Sequence, residues 1–361
     1  MKAFPLRSDR VRLAVTETGG QLSDVAFVLA DGRTVMPMHV APWADEALGD
    51  DIPPMLRVLR GDFLAAPFGA SDVLAGEPRD HGLAANGTWR LAGQSQSALD
   101  ATLTGTIMGA ALDKHVELRP GESVIYQRHT FTGGSGRLPV GHHAMLRADT
   151  LLKLGFAPWT NAITPPKQVE TPPHGRPLLA ANQTIRDLTS AERADGGTAD
   201  LTQFPSADGY EAIWMLISDP APAFAWTTAT APERNWVWFS LKNQRTLPQT
   251  LLWFSNGGRD YPPWNGRHRL AIGIEEICGY FHLGHAASVA ANPVAAGGSA
   301  TALELSPDGQ TNLSYIFGLA ATPPGFGAVT EVTAVPGGIR LVDAGGHAVF
   351  TACDLSFVTA N

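Results

Sequence analysis

Apolar and polar residues alternate along most of this chain. Residues 11–40, VRLAVTETGGQLSDVAFVLADGRTVMPMHV, step between the two classes around Gly19-Gly20 and Asp31-Gly32. That period of two, broken by glycine pairs and Asp-Gly, predicts short antiparallel strands joined by tight turns, here as an edge of a sheet. Residues 98–132 resume the pattern around Pro120-Gly121, and LELSPDGQTNLSYIFGL at 303–319 repeats the same strand–turn–strand shape. From 211 onward the runs EAIWMLIS, NWVWFSLK, TLLWFSN and LAIGIEE read as further strands. The last residues predict a closing pair around Ala344-Gly345-Gly346.

Three stretches depart from the alternation. Ala41–Pro54 is acidic and irregular and reads as a solvated loop. Residues 155–209 are rich in proline, and a connection of that length in a β domain is usually functional or mobile. Within it, DLTSAERADGG at 187–197 has the composition of a single helical turn. The third, Leu56–Trp89, is the densest run of polar side chains among strand residues and Gly/Pro turns.

Composition narrows the picture. Of 361 residues 44% are hydrophobic, enough for a large core, while 38 glycines and 27 prolines oppose long helices. No linker with a distinct composition interrupts the chain, so residues 1–361 are expected to form a single all-β domain. A net charge of -8 without a Lys/Arg patch argues against nucleic acid as a partner. No apolar run has the length of a membrane span, and the charged N-terminus does not read as a signal peptide. Cys278 and Cys353 are the only cysteines; two buried free thiols suit a reducing cytoplasm.

Candidate chemistry lies in three fragments. The Leu56–Trp89 stretch carries Arg60, Asp62 and His81; GHHAML at 141–146 adds His142 and His143; AIGIEE at 271–276 adds Glu275 and Glu276. A lone carboxylate among Ile272, Ile274 and Ile277 is costly unless it is paired or used. On a strand His142 and His143 point to opposite faces, so at most one of them faces a given pocket. LLWFSNGGRDYPPWNGRHRL at 251–270 precedes the glutamate strand and offers Trp253, Tyr261 and Trp264 with Asn256, Arg259, Asp260 and Asn265. A metal site of His81, His143 and Glu275 lacks any tight ligand spacing, so no metal is expected.

The ordered set Arg60-Gly61, Pro67-Phe68-Gly69, His81-Gly82 and Trp89 resembles the aldose 1-epimerase (galactose mutarotase-like) superfamily, especially its hexose-6-phosphate epimerase branch. GHHAML is similar to the family's second histidine segment and AIGIEE to its glutamate strand, over anchors scattered through residues 56–282. The resemblance implies an all-β galactose mutarotase-like super-sandwich that interconverts the anomers of a sugar by acid/base ring opening, without a cofactor. It implies Glu275 as general base and His143 as general acid. His81, Arg60, Asp62, Trp253, Asn256, Asp260 and Trp264 are then expected to bind the carbohydrate. A sugar ring offers hydroxyls at its edge and C–H groups on its faces, which suits aromatic platforms beside hydrogen-bonding groups.

Two departures bear on the ligand. Leu83-Ala84-Ala85 replaces the segment holding the family's phosphate-binding arginine, and Asp62 replaces a glycine, adding a carboxylate expected near the mouth. Both oppose a phosphorylated sugar. The alternative readings are a carbohydrate-binding protein without turnover and a lyase or glycoside-processing enzyme on the same sandwich. Each residue also has a plain structural reading: His81-Gly82 as a turn, Arg60 as an ion-pair partner, the tryptophans as core.

Overall fold

The computed structural model describes residues 2–72 and 79–360; residues 73–78 of the Leu56–Trp89 stretch lie outside the described residues. Two large antiparallel sheets dominate, one of nine strands and one of six. The six-stranded sheet carries the site and is ordered Trp159–Ile163, Tyr210–Ser218, Gln249–Asn256, Ala271–Cys278, Val140–Arg147, Leu64–Ala65. Ala3–Val35 form a four-stranded sheet of their own and Val329–Ala352 a three-stranded one, rather than extending the large sheets. The closing pair around Ala344-Gly345-Gly346 is present as Gly338–Asp343 against Ala348–Ala352.

The central strands of the site sheet are apolar on both faces because both faces are covered. Gln249–Asn256 and Ala271–Cys278 are buried at every position. One face places Ala144, Leu146, Leu252, Phe254, Ile272 and Ile274 in a core shared with Trp238, Tyr315 and Phe317 of the nine-stranded sheet. The other face, with Met145, Ile213, Met215, Leu251, Trp253 and Ile277, packs against Trp43, Phe63, Phe68, Trp264 and Phe281 from overlying loops. Each fully buried large side chain contributes about 1.5–3 kcal/mol.

Local expectations fail in two places for physical reasons. Ala41–Pro54 is not simply solvated: Trp43 is wholly buried and its indole N–H donates to the Leu56 carbonyl, because a ring that size is stabilised by burial. Residues 187–197 hold no helical turn; Ala191–Glu192 pairs with Thr198–Ala199 across a glycine turn, and Ala191 joins the core.

Candidate functional site

The site is built on the covered, loop-roofed face of the six-stranded sheet. Strands Val140–Arg147 and Ala271–Cys278 pair antiparallel with His143 directly opposite Glu275, and His142 opposite Glu276. Alternation sends each pair to a different face. His143 and Glu275 form the floor of a cleft of about 180 Å³, with His143 Nε2 3.4 Å from a Glu275 carboxylate oxygen. Among the described residues the Glu275 carboxylate accepts no hydrogen bond. Gly273 makes room for it: a Cβ there would lie 2.8 Å from that oxygen.

The segment before the short strand Leu64–Ala65 fixes His143. The Phe63 ring stacks on the imidazole at 4.7 Å, and the His143 amide donates to the Phe63 carbonyl at 2.9 Å. His81 meets His143 edge-on at 5.1 Å. Its position depends on Gly82, since both residues have left-handed backbones and a Cβ on Gly82 would lie 2.2 Å from the Ala66 carbonyl oxygen.

Trp253 and Trp264 also line the cleft, and the Arg259 guanidinium lies over both rings, 5.1 and 4.6 Å from their centres. Arg259 is itself held by Glu170 at 2.6 Å and Glu211 at 3.8 Å. Glu211 also accepts from the Trp253 indole at 2.8 Å and from Ser255 and the Gly258 amide. Met55, Leu56, Leu59, Ile213 and Leu251 complete an apolar wall. Asp80 and His282 complete a polar one. A cavity of this size falls below the 300–1,000 Å³ of drug-sized ligand sites and so suits a small molecule.

Burial sets the protonation states. Glu275 is pushed well above the ordinary carboxyl value by desolvation, only partly offset by Arg259. Desolvation, aided by the neighbouring His81, holds His143 well below the ordinary imidazole value. The same cause brings His81 and His282 down to about 4. The cleft therefore favours neutral imidazoles and a carboxyl that keeps its proton. With one proton between them, Glu275 and His143 comprise one donor and one acceptor, whichever of the two holds it.

Of the nine residues expected to catalyse or bind, five converge on this cleft, Glu275, His143, His81, Trp253 and Trp264, and Arg259 from the polar loop joins them. Four stand elsewhere. Arg60 is buried and bonds the carbonyls of Val58 and Ala44, bracing the chain. Asp62 is not at the mouth; it is fully buried between the sheets, accepting from Gln127 at 2.6 Å and contacting His142 Nδ1 at 3.1 Å. Asn256 bonds the backbone of Ala207 and Leu270. Asp260 pairs with Arg176 outside the cleft.

Glu170, Glu211, Asp80 and His282 were not singled out in the sequence. Glu211 opens the run EAIWMLIS, a lone carboxylate on a buried strand like Glu275, and that signal was available. Among the described residues no group of three or more His, Cys, Asp or Glu side chains stands in metal-binding geometry.

No family model matches the sequence, and no curated protein matches it. Solved structures do. A galactose mutarotase-related enzyme from Lactobacillus acidophilus superposes with a TM-score of 0.55 at 10% identity, over 89% of this chain and 98% of that one. A candidate aldose 1-epimerase from Escherichia coli K12 gives 0.57 at 11% identity, over 89% and 99%. The Slr1438 protein from Synechocystis sp. PCC 6803 gives 0.54 at 15% identity, over 89% and 96%. At these identities the likeness fixes architecture: this chain has the all-β galactose mutarotase-like fold.

Proposed function

We propose that the protein is an aldose 1-epimerase that interconverts the anomers of a free sugar. The observation that carries the reading is the His143–Glu275 pair, facing each other across two strands at the floor of a small, aromatic-walled cleft. Anomer exchange needs one group to take the proton of the C1 hydroxyl and another to protonate the ring oxygen. The C1–O5 bond then opens to the aldehyde, C1 rotates, and the reverse transfers close the ring on the other face. With the proton on Glu275, the state that burial favours, the carboxyl protonates the ring oxygen and the neutral His143 imidazole takes the C1 hydroxyl proton; with it on the imidazole the roles exchange, Glu275 as base and His143 as acid. The single proton returns to its starting place after each opening and closing, so no cofactor is consumed.

In this reading His81 meets a hydroxyl, and Trp253 and Trp264 meet C–H groups of the ring. Arg259 brings no uncompensated positive charge, because two carboxylates already face it. That balance supports an uncharged sugar over a phosphorylated one.

The test is exchange spectroscopy of glucose, galactose and glucose 6-phosphate, with the parent protein and Glu275→Gln. Acceleration by the parent that is lost in the variant is the expected result. If no aldose exchanges faster while the tryptophan fluorescence responds to sugar, the protein is a carbohydrate binder without turnover. New reducing ends from an oligosaccharide would move the reading to a glycoside-processing enzyme.

A further inference from the structure

We propose that His282 contacts the ligand directly and reads one sugar hydroxyl other than the anomeric one. The proposal rests on the mutarotase reading for the class of ligand, and on the structure for the residue.

After Cys278 the strand bearing Glu275 leaves the sheet and turns back over the cleft. Phe281 makes that turn with a left-handed backbone at φ 53, uncommon for a bulky aromatic, while its ring is buried in the loop-roofed core. The His282 backbone is then clamped from the other side. The Ala70 amide donates to its carbonyl at 2.8 Å, and a Cβ on Gly69 would lie 2.7 Å from that same carbonyl. Gly284 is equally close to Ala70, where a Cβ would stand 2.5 Å from the carbonyl oxygen. Two glycines thus lock the Phe68–Ala70 turn against the His282 turn.

So rigid a backbone presents an imidazole that none of the described residues hydrogen-bonds. His282 lines the cleft, its Nδ1 is buried without a partner, and neither ring nitrogen has a hydrogen bond among the described residues. A core histidine would be expected to find a partner, since an unpaired buried polar atom is costly. Burial keeps the ring neutral, with its value lowered to about 4. A neutral imidazole offers one donor and one acceptor, matching a hydroxyl, which also gives one and takes one. His143 and Glu275 already face the anomeric centre. A ligand held there would meet His282 through another of its hydroxyls.

The experiment measures affinity by tryptophan fluorescence and kcat and KM by anomer exchange. It compares galactose with its 2-, 3-, 4- and 6-deoxy analogues in the parent, His282→Phe and His282→Asn. One deoxy analogue is expected to bind the parent about 5- to 150-fold more weakly than galactose, the range for an unpaired buried polar group. His282→Phe should bind galactose as weakly as that analogue, lose nothing further on it, and keep kcat. The other analogues should keep their deficits. His282→Asn, whose amide both donates and accepts, should restore most of the affinity.

Equal weakening of every sugar in His282→Phe, no weakening at all, or a fall in kcat with KM unchanged would each overturn the assignment. If the parent binds sugars without exchanging them, only the epimerase reading falls and the affinities still decide on His282. If the parent exchanges sugars and His282→Phe matches it, the assignment to His282 falls alone. If the parent neither binds nor exchanges any sugar, both fall.

Discussion

Two glutamates stand side by side on one strand and do opposite things. Glu276 faces the interior, where its carboxylate accepts from Thr227, Ser240 and Thr250 at 2.7–2.9 Å and pairs with the buried Lys242 ammonium. Glu275 faces the cleft, equally buried, and among the described residues its one ion-pair contact is the His143 ring at 3.4 Å. The histidines opposite them divide in the same way: His142 leans on Asp62 between the sheets, while His143 lines the cavity. Burial alone therefore does not mark a site. What distinguishes the cleft pair is that, among the described residues, neither side chain has a hydrogen-bond partner and each has only the other as an ion-pair contact, combined with an adjoining cavity.

The sharpest way to break this comparison is Glu275→Gln. If Glu275 is unpartnered because the ligand is its partner, the variant loses about 10²- to 10⁴-fold in anomer exchange, as removal of a general acid or base does. It should also lose no more than about 1 kcal/mol of urea unfolding free energy, since little is bonded to the carboxylate. A large loss of stability would show that Glu275 belongs to the framework. The mirror experiment is Lys242→Met, which leaves Glu276 buried without its counter-charge and should cost about 3–5 kcal/mol of stability. A loss below about 1 kcal/mol would mean that the three hydroxyls satisfy Glu276 unaided. Thr250→Val removes one of those hydroxyls, which also bonds Lys242, and should cost about 1–3 kcal/mol in the same measurement.

Much of this division was written in the sequence, and the missing part has identifiable causes. Strand alternation and the turn residues around Gly19-Gly20, Pro120-Gly121 and Ala344-Gly345-Gly346 give the sheets, because those signals act over a few residues. Alternation also requires His142 and His143 to part, but which one meets the cavity depends on register with Ala271–Cys278, a long-range fact. Asp62 shows the same limit. It follows Gly61, whose left-handed backbone resets the direction of the chain, so no local rule says which face the carboxylate takes. Arg259 was visible as a polar loop residue, but its environment needs Glu170 from the proline-rich segment, which carries no periodic pattern. His282 sits one residue past a strained turn that the sequence does not announce.

The gentlest test of the comparison is pH. Glu275 binds its proton more tightly folded than unfolded, because desolvation raises its value above 4.5. From 4.5 upward the unfolded chain releases that proton first, so the stabilisation is present at low pH and is lost as pH rises toward the folded value. His143 runs the other way: its value is lowered, so its contribution is full above 6.5 and is lost as pH falls. In the difference between parent and Glu275→Gln the histidine contribution is common to both proteins and largely cancels. Urea unfolding from pH 5 to 9 should therefore show the parent losing ground to the variant as pH rises, by at most about 1.4 kcal/mol per pH unit. A flat difference for Glu275→Gln would mean that its carboxylate is solvated in the cleft, and the distinction between the two faces would then rest on geometry alone.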